Sequence, residues 1–214
     1  MKDIAISVQH VYKDFNGEEV LKDVHHDFET GKIHGIVGNN GSGKTVLFKC
    51  ICGFLFPTKG KIFVDYEQVG KDMDFPDDMG IIIETPGFLP NISGLKNLQI
   101  LASLKKKISD KEVVLAIKSV GLDPFIKKHV GKYSLGMRQR LGIAQAIMEN
   151  PSLLILDEPF NGLDKQGVAD MRELIKGLRV QGKTVLLASH NKYDIEELCD
   201  TVCEMDAGVL RVIR

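Results

Sequence analysis

Eight consecutive residues, Gly38-Asn39-Asn40-Gly41-Ser42-Gly43-Lys44-Thr45, satisfy the pattern G-x-x-x-x-G-K-[ST] without a gap. Each residue type has a task in holding phosphate. Glycines permit positive φ and let an anion approach the backbone closely. Successive N–H groups then turn inward as an anion nest. A helix beginning here adds the positive end of its dipole, so the expected nucleotide contacts run from Gly38 through Val46. Lys44 is expected to reach the β- and γ-phosphates, and the Thr45 hydroxyl to ligate Mg²⁺. The pattern specifies a nucleoside triphosphate, not the work its hydrolysis performs.

A second group of chemical residues lies about a hundred positions on. Leu153-Leu154-Ile155-Leu156 is an unbroken apolar run that ends in Asp157-Glu158-Pro159. Such a run suits a strand buried on both faces, and α/β sheets place ligands at the carboxyl ends of their strands. Asp157 is then expected to hold Mg²⁺, directly or through water. Glu158, one residue further, projects differently and can accept a proton from an attacking water.

The elements needed to bring these two groups together can be read from periodicity. Lys32–Val37 reads as a buried strand running into the glycine-rich loop, followed by a helix from about Gly43 to Gly53. Leu153–Asp157 and Thr184–Ala188 read as further buried strands, with a helix from about Asp164 to Val180 between them. Lys61–Asp65 and Gly80–Glu84 read as short strands. Alternation of this kind predicts an α/β fold with a mainly parallel sheet. Ile4, Ile6 and Val8 alternate with polar residues, and Val20–Phe28 follows an Asn16-Gly17 turn, which predicts a small antiparallel β subdomain. Residues 94–121 and 134–150 carry helical spacing, which predicts an α-helical subdomain over about 86–150 inserted within a single 1–214 domain.

Composition narrows the partners. Lys plus Arg (28) nearly balances Asp plus Glu (29), so no electrostatic footprint for nucleic acid stands out. The run Lys105-Lys106-Lys107 reads as a solvated face. Cys50, Cys52, Cys199 and Cys203 form no CxxC pair and read as buried free thiols. No apolar stretch approaches the roughly 20 residues needed to cross a bilayer. Any work at a membrane therefore requires a partner that supplies the spans.

Further segments resemble, in order, the motifs of ATP-binding subunits of ABC transporters, over essentially the whole chain. Tyr133-Ser134-Leu135-Gly136-Met137-Arg138-Gln139-Arg140 stands where that family has its LSGGQ signature, with Ser134 and Gly136 matching and Leu135 and Met137 departing. Asn161-Gly162-Leu163-Asp164 resembles the D-loop, and His190 stands at the switch histidine. Phe15 aligns with the adenine-stacking aromatic, with Tyr12 in reserve. Where the family has Gln, this chain has Glu84 in Ile83-Glu84-Thr85-Pro86, similar to a bacterial exporter subgroup of the bacitracin and lantibiotic kind. Glu84 can still bind Mg²⁺, but it accepts hydrogen bonds only and adds negative charge beside phosphate.

The resemblance implies a P-loop ATPase core of ABC type, with ATP and Mg²⁺ as cofactors. It implies catalytic roles for Lys44, Glu158 and His190, and metal contacts from Thr45, Glu84 and Asp157. Two copies, or a copy and a similar subunit, would close over two ATP molecules, with Ser134 and Gly136 touching the ATP of the opposite copy. Integral-membrane permease subunits would be the other partner, placing the chain at the cytoplasmic face of a bacterial membrane. The segment after Glu84, with Phe88, Leu89 and Ile92, would form one wall of a groove for a short permease helix. No nucleic-acid partner is expected.

Overall fold

The computed structural model describes residues 3–214. Two sheets, six α-helices and one short 3-10 helix (Val130–Lys132) build the described residues. Strands β1 (Ile4–Phe15) and β2 (Glu18–Glu29) form a hairpin whose turn, Asn16-Gly17, has φ of 54° and 89°. Positive φ at both central positions is what a type I′ turn demands, and Asn-Gly supplies it with least strain. With β4 (Lys59–Val64) and β5 (Glu67–Gln68) they make a four-stranded antiparallel sheet in the order β2-β1-β4-β5.

The second sheet has six strands in the order β10-β9-β3-β8-β7-β6. Here β3 is Ile33–Val37, β6 Met79–Ile82, β7 Leu153–Asp157, β8 Thr184–Ala188, β9 Thr201–Asp206 and β10 Val209–Val212. All neighbours pair in parallel except β9 and β10. The apolar strands are buried on both faces, as the continuous runs predict. In β7, Leu154 and Leu156 join one core while Leu153 and Ile155 join the other; in β8, Val185 and Leu187 divide from Leu186 and Ala188 in the same way.

One core fills the space between this sheet, the antiparallel sheet and α1 (Lys44–Ile51). The other packs the opposite face against α2 (Gly94–Lys105), α3 (Asp110–Ser119), α4 (Leu135–Ile147), α5 (Lys165–Val180) and α6 (Lys192–Leu198). Burying each Leu or Ile of these strands contributes about 2 kcal/mol, so one charged residue in β7 would remove a large part of the net stability. The four cysteines are buried and free, and burial pushes the Cys50 and Cys203 thiols up to about 11 and those of Cys52 and Cys199 to about 12. Cys52 caps the end of α1 rather than lying within it. Among the described residues, no helix is long and apolar enough to cross a membrane.

Helix starts separate one end of the molecule from the rest. Helices α2, α4, α5 and α6 begin on Ser93, Ser134, Asp164 and Asn191, whose side chains accept backbone N–H groups of the first turn. Helix α1 begins on Gly43, at φ 111°, with no side chain to do so. Its first N–H groups are therefore left for another acceptor.

Candidate functional site

The glycine-rich loop joins the carboxyl end of β3 to α1. Its close packing explains its composition: a Cβ on Gly38 would lie 2.2 Å from the Met205 carbonyl oxygen. The turn between β9 and β10 braces the loop, since Gly208 N donates to Ser42 O (3.0 Å) and Lys22 N donates to Gly208 O (2.8 Å). Lys44 is buried, and its Nζ donates to Gly38 O (2.7 Å) and Asn39 O (3.1 Å), so the ammonium is held under the loop.

The second group arrives from β7, next but one to β3 in the sheet. The Thr45 hydroxyl donates to Asp157 Oδ2 at 2.6 Å. Burial pushes the Asp157 carboxyl above its ordinary range; the Thr45 hydrogen bond and the Lys44 charge oppose this, Glu84 adds to it, and Lys49 again opposes it. Glu158 follows in left-handed backbone (φ 51°), a costly conformation for a non-glycine residue, held by Glu158 N donating to Ala188 O and by Gln139 Nε2 donating to Glu158 O. Its Oε2 lies 2.8 Å from His190 Nδ1.

His190 follows β8, and the segment carrying it is anchored from behind. Buried Asp194 in α6 accepts from the Ser189 hydroxyl and forms an ion pair with Arg172 of α5. Helix α5 itself starts at Asp164 of the Asn161–Asp164 loop. That loop packs against the start of α4: a Cβ on Gly162 would lie 2.4 Å from Leu135 Cγ, and one on Gly136 would lie 2.7 Å from Gly162 O. Leu135 thus covers a glycine that has no room for a side chain.

A cavity of about 540 Å³ lies among these elements, lined by residues 40–46, by Glu84, Thr85 and Pro86, by Leu135, Arg138 and Gln139, and by Asp157, Glu158 and Asn161. Val20 lines it from the antiparallel sheet, and Phe15 does not. Phe15 is 42% exposed at the end of β1, with Lys13 Nζ 5.0 Å from its ring centroid. Ser134 and Gly136 also stay outside this chain's own cavity, and the Ser134 side chain accepts from Met137 N. His190, Gly38 and Asn39 border a neighbouring depression.

The donor set fits a phosphate ligand carrying Mg²⁺. Among the described residues no cluster of three His, Cys, Asp or Glu side chains could hold a metal. Mg²⁺ characteristically takes one or two protein oxygens and completes its shell with phosphate and water, and Thr45 with Asp157 offers that arrangement. The Ser42 hydroxyl and Glu158 Oε1 are buried there without hydrogen-bond partners, and both residues line the cavity.

Glu84 sits two residues beyond the end of β6, which stops at Ile82, short of the Gly80–Glu84 strand that the sequence suggests. Its backbone is left-handed (φ 59°), which ends pairing and turns the side chain toward α1, where Lys49 Nζ donates to Glu84 Oε1 at 2.6 Å. Downstream, buried Asn97 pins the segment by accepting from Leu89 N and donating to Leu89 O. Phe88 packs against the large core and Leu89 is exposed, so the apolar wall expected from Phe88, Leu89 and Ile92 together is divided. Val20, Lys49 and Pro86 were not legible as site residues. Lys49 carries a usable signal, because Thr45 and Lys49 are four apart on one helix face.

A glycine-rich loop from a parallel strand into a helix, an acidic strand end and a histidine at the end of the strand between them accompany the fold of ATP-binding-cassette ATPases. The fold is similar to that of the ATP-binding cassette MJ0796, solved as a dimer in a post-hydrolysis state bound to ADP and Pi (TM-score 0.87, 22% identity, 98% of this chain and 99% of that one). Residues 21–161 match the ABC transporter family, to which this chain belongs. It is 43% identical to the uncharacterized ABC transporter ATP-binding protein YybJ of Bacillus subtilis (strain 168), over 96% of this chain and 94% of that protein. It is 39% identical to the bacitracin transport ATP-binding protein BcrA of Enterococcus faecalis, over 97% of this chain and 68% of that protein.

Proposed function

We propose that the chain binds ATP with Mg²⁺, hydrolyses it, and thereby powers a transporter, in the direction of export, whose membrane spans lie on separate permease subunits. Residues 1–214 act as one ATP-binding domain, with the helices of about 86–150 as its inserted subdomain. Likeness to a bacitracin transport ATP-binding protein supports work in transport, and the Glu84-Thr85-Pro86 resemblance to exporter subunits supports the direction. The observation that carries the enzymatic reading is the convergence of Lys44, Thr45, Asp157, Glu158 and His190 at the carboxyl ends of neighbouring parallel strands beside a cavity.

The roles follow from placement. Backbone N–H groups of Gly41–Val46 and the Lys44 ammonium hold the phosphates, while Thr45 and Asp157, with Glu84 beside them, hold Mg²⁺, which supplies charge neutralisation at the β- and γ-phosphates. Glu158 takes the proton of the attacking water through Oε1, its unpartnered oxygen. His190 orients Glu158 through Nδ1. With that nitrogen donating, a second donor toward the γ-phosphate exists only in the imidazolium form, on Nε2. Ser134 and Gly136, outside this chain's own cavity, are free to contact ATP held by a second copy. Such a pair would sit at the cytoplasmic face of the membrane.

Glu158→Gln tests the reading. The amide keeps a contact to His190 and removes the base. ATP binding should persist, hydrolysis should fall by roughly 100-fold or more, in line with loss of a general base, and size-exclusion chromatography with ATP and Mg²⁺ should show a dimer. Normal turnover, or a monomer at high protein concentration, would reject it.

A further inference from the structure

The pair between Lys49 and Glu84 has no place in the roles above. It joins the last turn of α1 to the segment after β6, across 35 residues of sequence, at 2.6 Å. Lys49 is the less exposed partner, at 28% against 63% for Glu84. The Lys49 stem starts on the helix face that carries Thr45, which bonds Asp157. Glu84 lines the cavity beside Asp157. Glu84, Asp157 and Glu158 therefore place three carboxylates around the space where phosphates would lie, and the Lys49 ammonium is paired with the first of them. Both partners of the pair also register in the field at Asp157, where Glu84 opposes ionisation and Lys49 favours it.

We infer that Lys49 is a positioning residue, whose ammonium holds the Glu84 carboxylate and neutralises its charge until a metal–nucleotide complex competes for it. The inference rests on the function proposed above. Without a cation, Glu84 would repel the γ-phosphate and stand open to any divalent ion. With Lys49 bound, the repulsion is cancelled and Mg²⁺ has to displace an ammonium to reach Glu84. Lys49 therefore acts in opposite senses on the two halves of the ligand: it favours the anion and disfavours the metal. A side chain that merely supports α1 has no such antisymmetry.

The test uses the whole chain as wild type, Lys49→Met, Lys49→Gln and Lys49→Met with Glu84→Gln, each checked for an unchanged melting profile. A fluorescent ATP analogue is titrated in EDTA, and then at fixed analogue across a Mg²⁺ series. Lys49→Met and Lys49→Gln should each weaken metal-free analogue binding about fivefold, the effect of one unit charge about 4 Å away in water-like screening. Each should also lower the Mg²⁺ midpoint by a similar factor. Adding Glu84→Gln should return metal-free affinity to within about twofold of wild type, a coupling that independent sites do not show. Weakening of both affinity and Mg²⁺ response, an unchanged midpoint, or no rescue by Glu84→Gln overturns the inference while leaving the ATPase reading intact. Absence of analogue binding by the wild type overturns both.

Discussion

The two ends of the nucleotide site differ in how far they are built before a ligand arrives. At the phosphate end, Ser42, Lys44 and Asp157 are each buried to about 6–7% exposure, and hydrogen bonds hold Lys44 to the loop and Thr45 to Asp157. At the base end, the candidate aromatic Phe15 is 42% exposed, and no cavity-lining contact places it. Phosphate recognition needs directional donors fixed in a low-dielectric loop, and such groups are costly to leave loose. Base stacking needs a flat face and nothing else, so an exposed ring suffices. The molecule therefore fixes the triphosphate strictly and the base loosely.

The largest effect should follow from removing Lys44. Lys44→Ala takes away the one side-chain cation held beneath the loop and leaves the Gly38 and Asn39 carbonyls without their donor. ATP affinity measured by calorimetry should fall by roughly 100-fold, about 2–3 kcal/mol, the range for a charged hydrogen-bond partner. The fold should survive, since the same variant should keep its secondary structure. Near-wild-type affinity would mean that the phosphate end is not where binding is concentrated.

Phe15→Ala should cost less. Stacking of a base on an aromatic side chain contributes about 1–3 kcal/mol, taking the values from nucleic-acid complexes. ATP and GTP should weaken by a similar factor, since a ring face has no donors to tell them apart. Inorganic tripolyphosphate, which has no base, should bind the variant as it binds the wild type. A parallel loss of tripolyphosphate would place Phe15 at the phosphate end and dissolve the contrast between the two ends.

That contrast also governs what the sequence could disclose. The loop, strands β3, β7 and β8, and helix α5 are local patterns: glycine spacing, apolar runs and a 3.6-residue period. Asp157 and Glu158 are expected because an apolar run ends at them, whereas His190 is expected through the family resemblance, at the end of such a strand. The parts that escaped depend on who meets whom in space. Strand β9 alternates buried and exposed residues over only four positions, Cys203 to Asp206, and β10 has four residues of which none is buried, so neither announces itself. The brace from Gly208 to Ser42 and the hold of Gln139 on the Glu158 carbonyl join elements far apart in sequence. The left-handed backbones of Glu84 and Glu158 have no residue-type signature, since neither position is glycine or asparagine. Glu84 could be recognised as a departure from family pattern, but its counter-charge became visible only when α1 and the β6 end were placed together.

Lys13 offers the smallest and most discriminating test. Its Nζ stands 5.0 Å from the Phe15 ring centroid and donates to the Phe56 carbonyl at 2.9 Å, so it connects the ring to the chain just after α1. An ammonium over an exposed aromatic face contributes about 0.5–1 kcal/mol. It covers one face of Phe15 and leaves the other for a base. Lys13→Met keeps the apolar stem and removes both the charge and the Phe56 bond. If the base end is as loosely set as its exposure implies, the ring finds the base without this support, and ATP affinity should fall by no more than about fivefold, the ceiling set by that energy. The loss should shrink further at high salt, because the interaction is electrostatic and close to water. A Lys13→Met loss as large as that of Phe15→Ala, persisting at high salt, would show that the ring works only when pinned. The base end would then be as fully prepared as the phosphate end, and the strictness assigned to one would have to be shared by both.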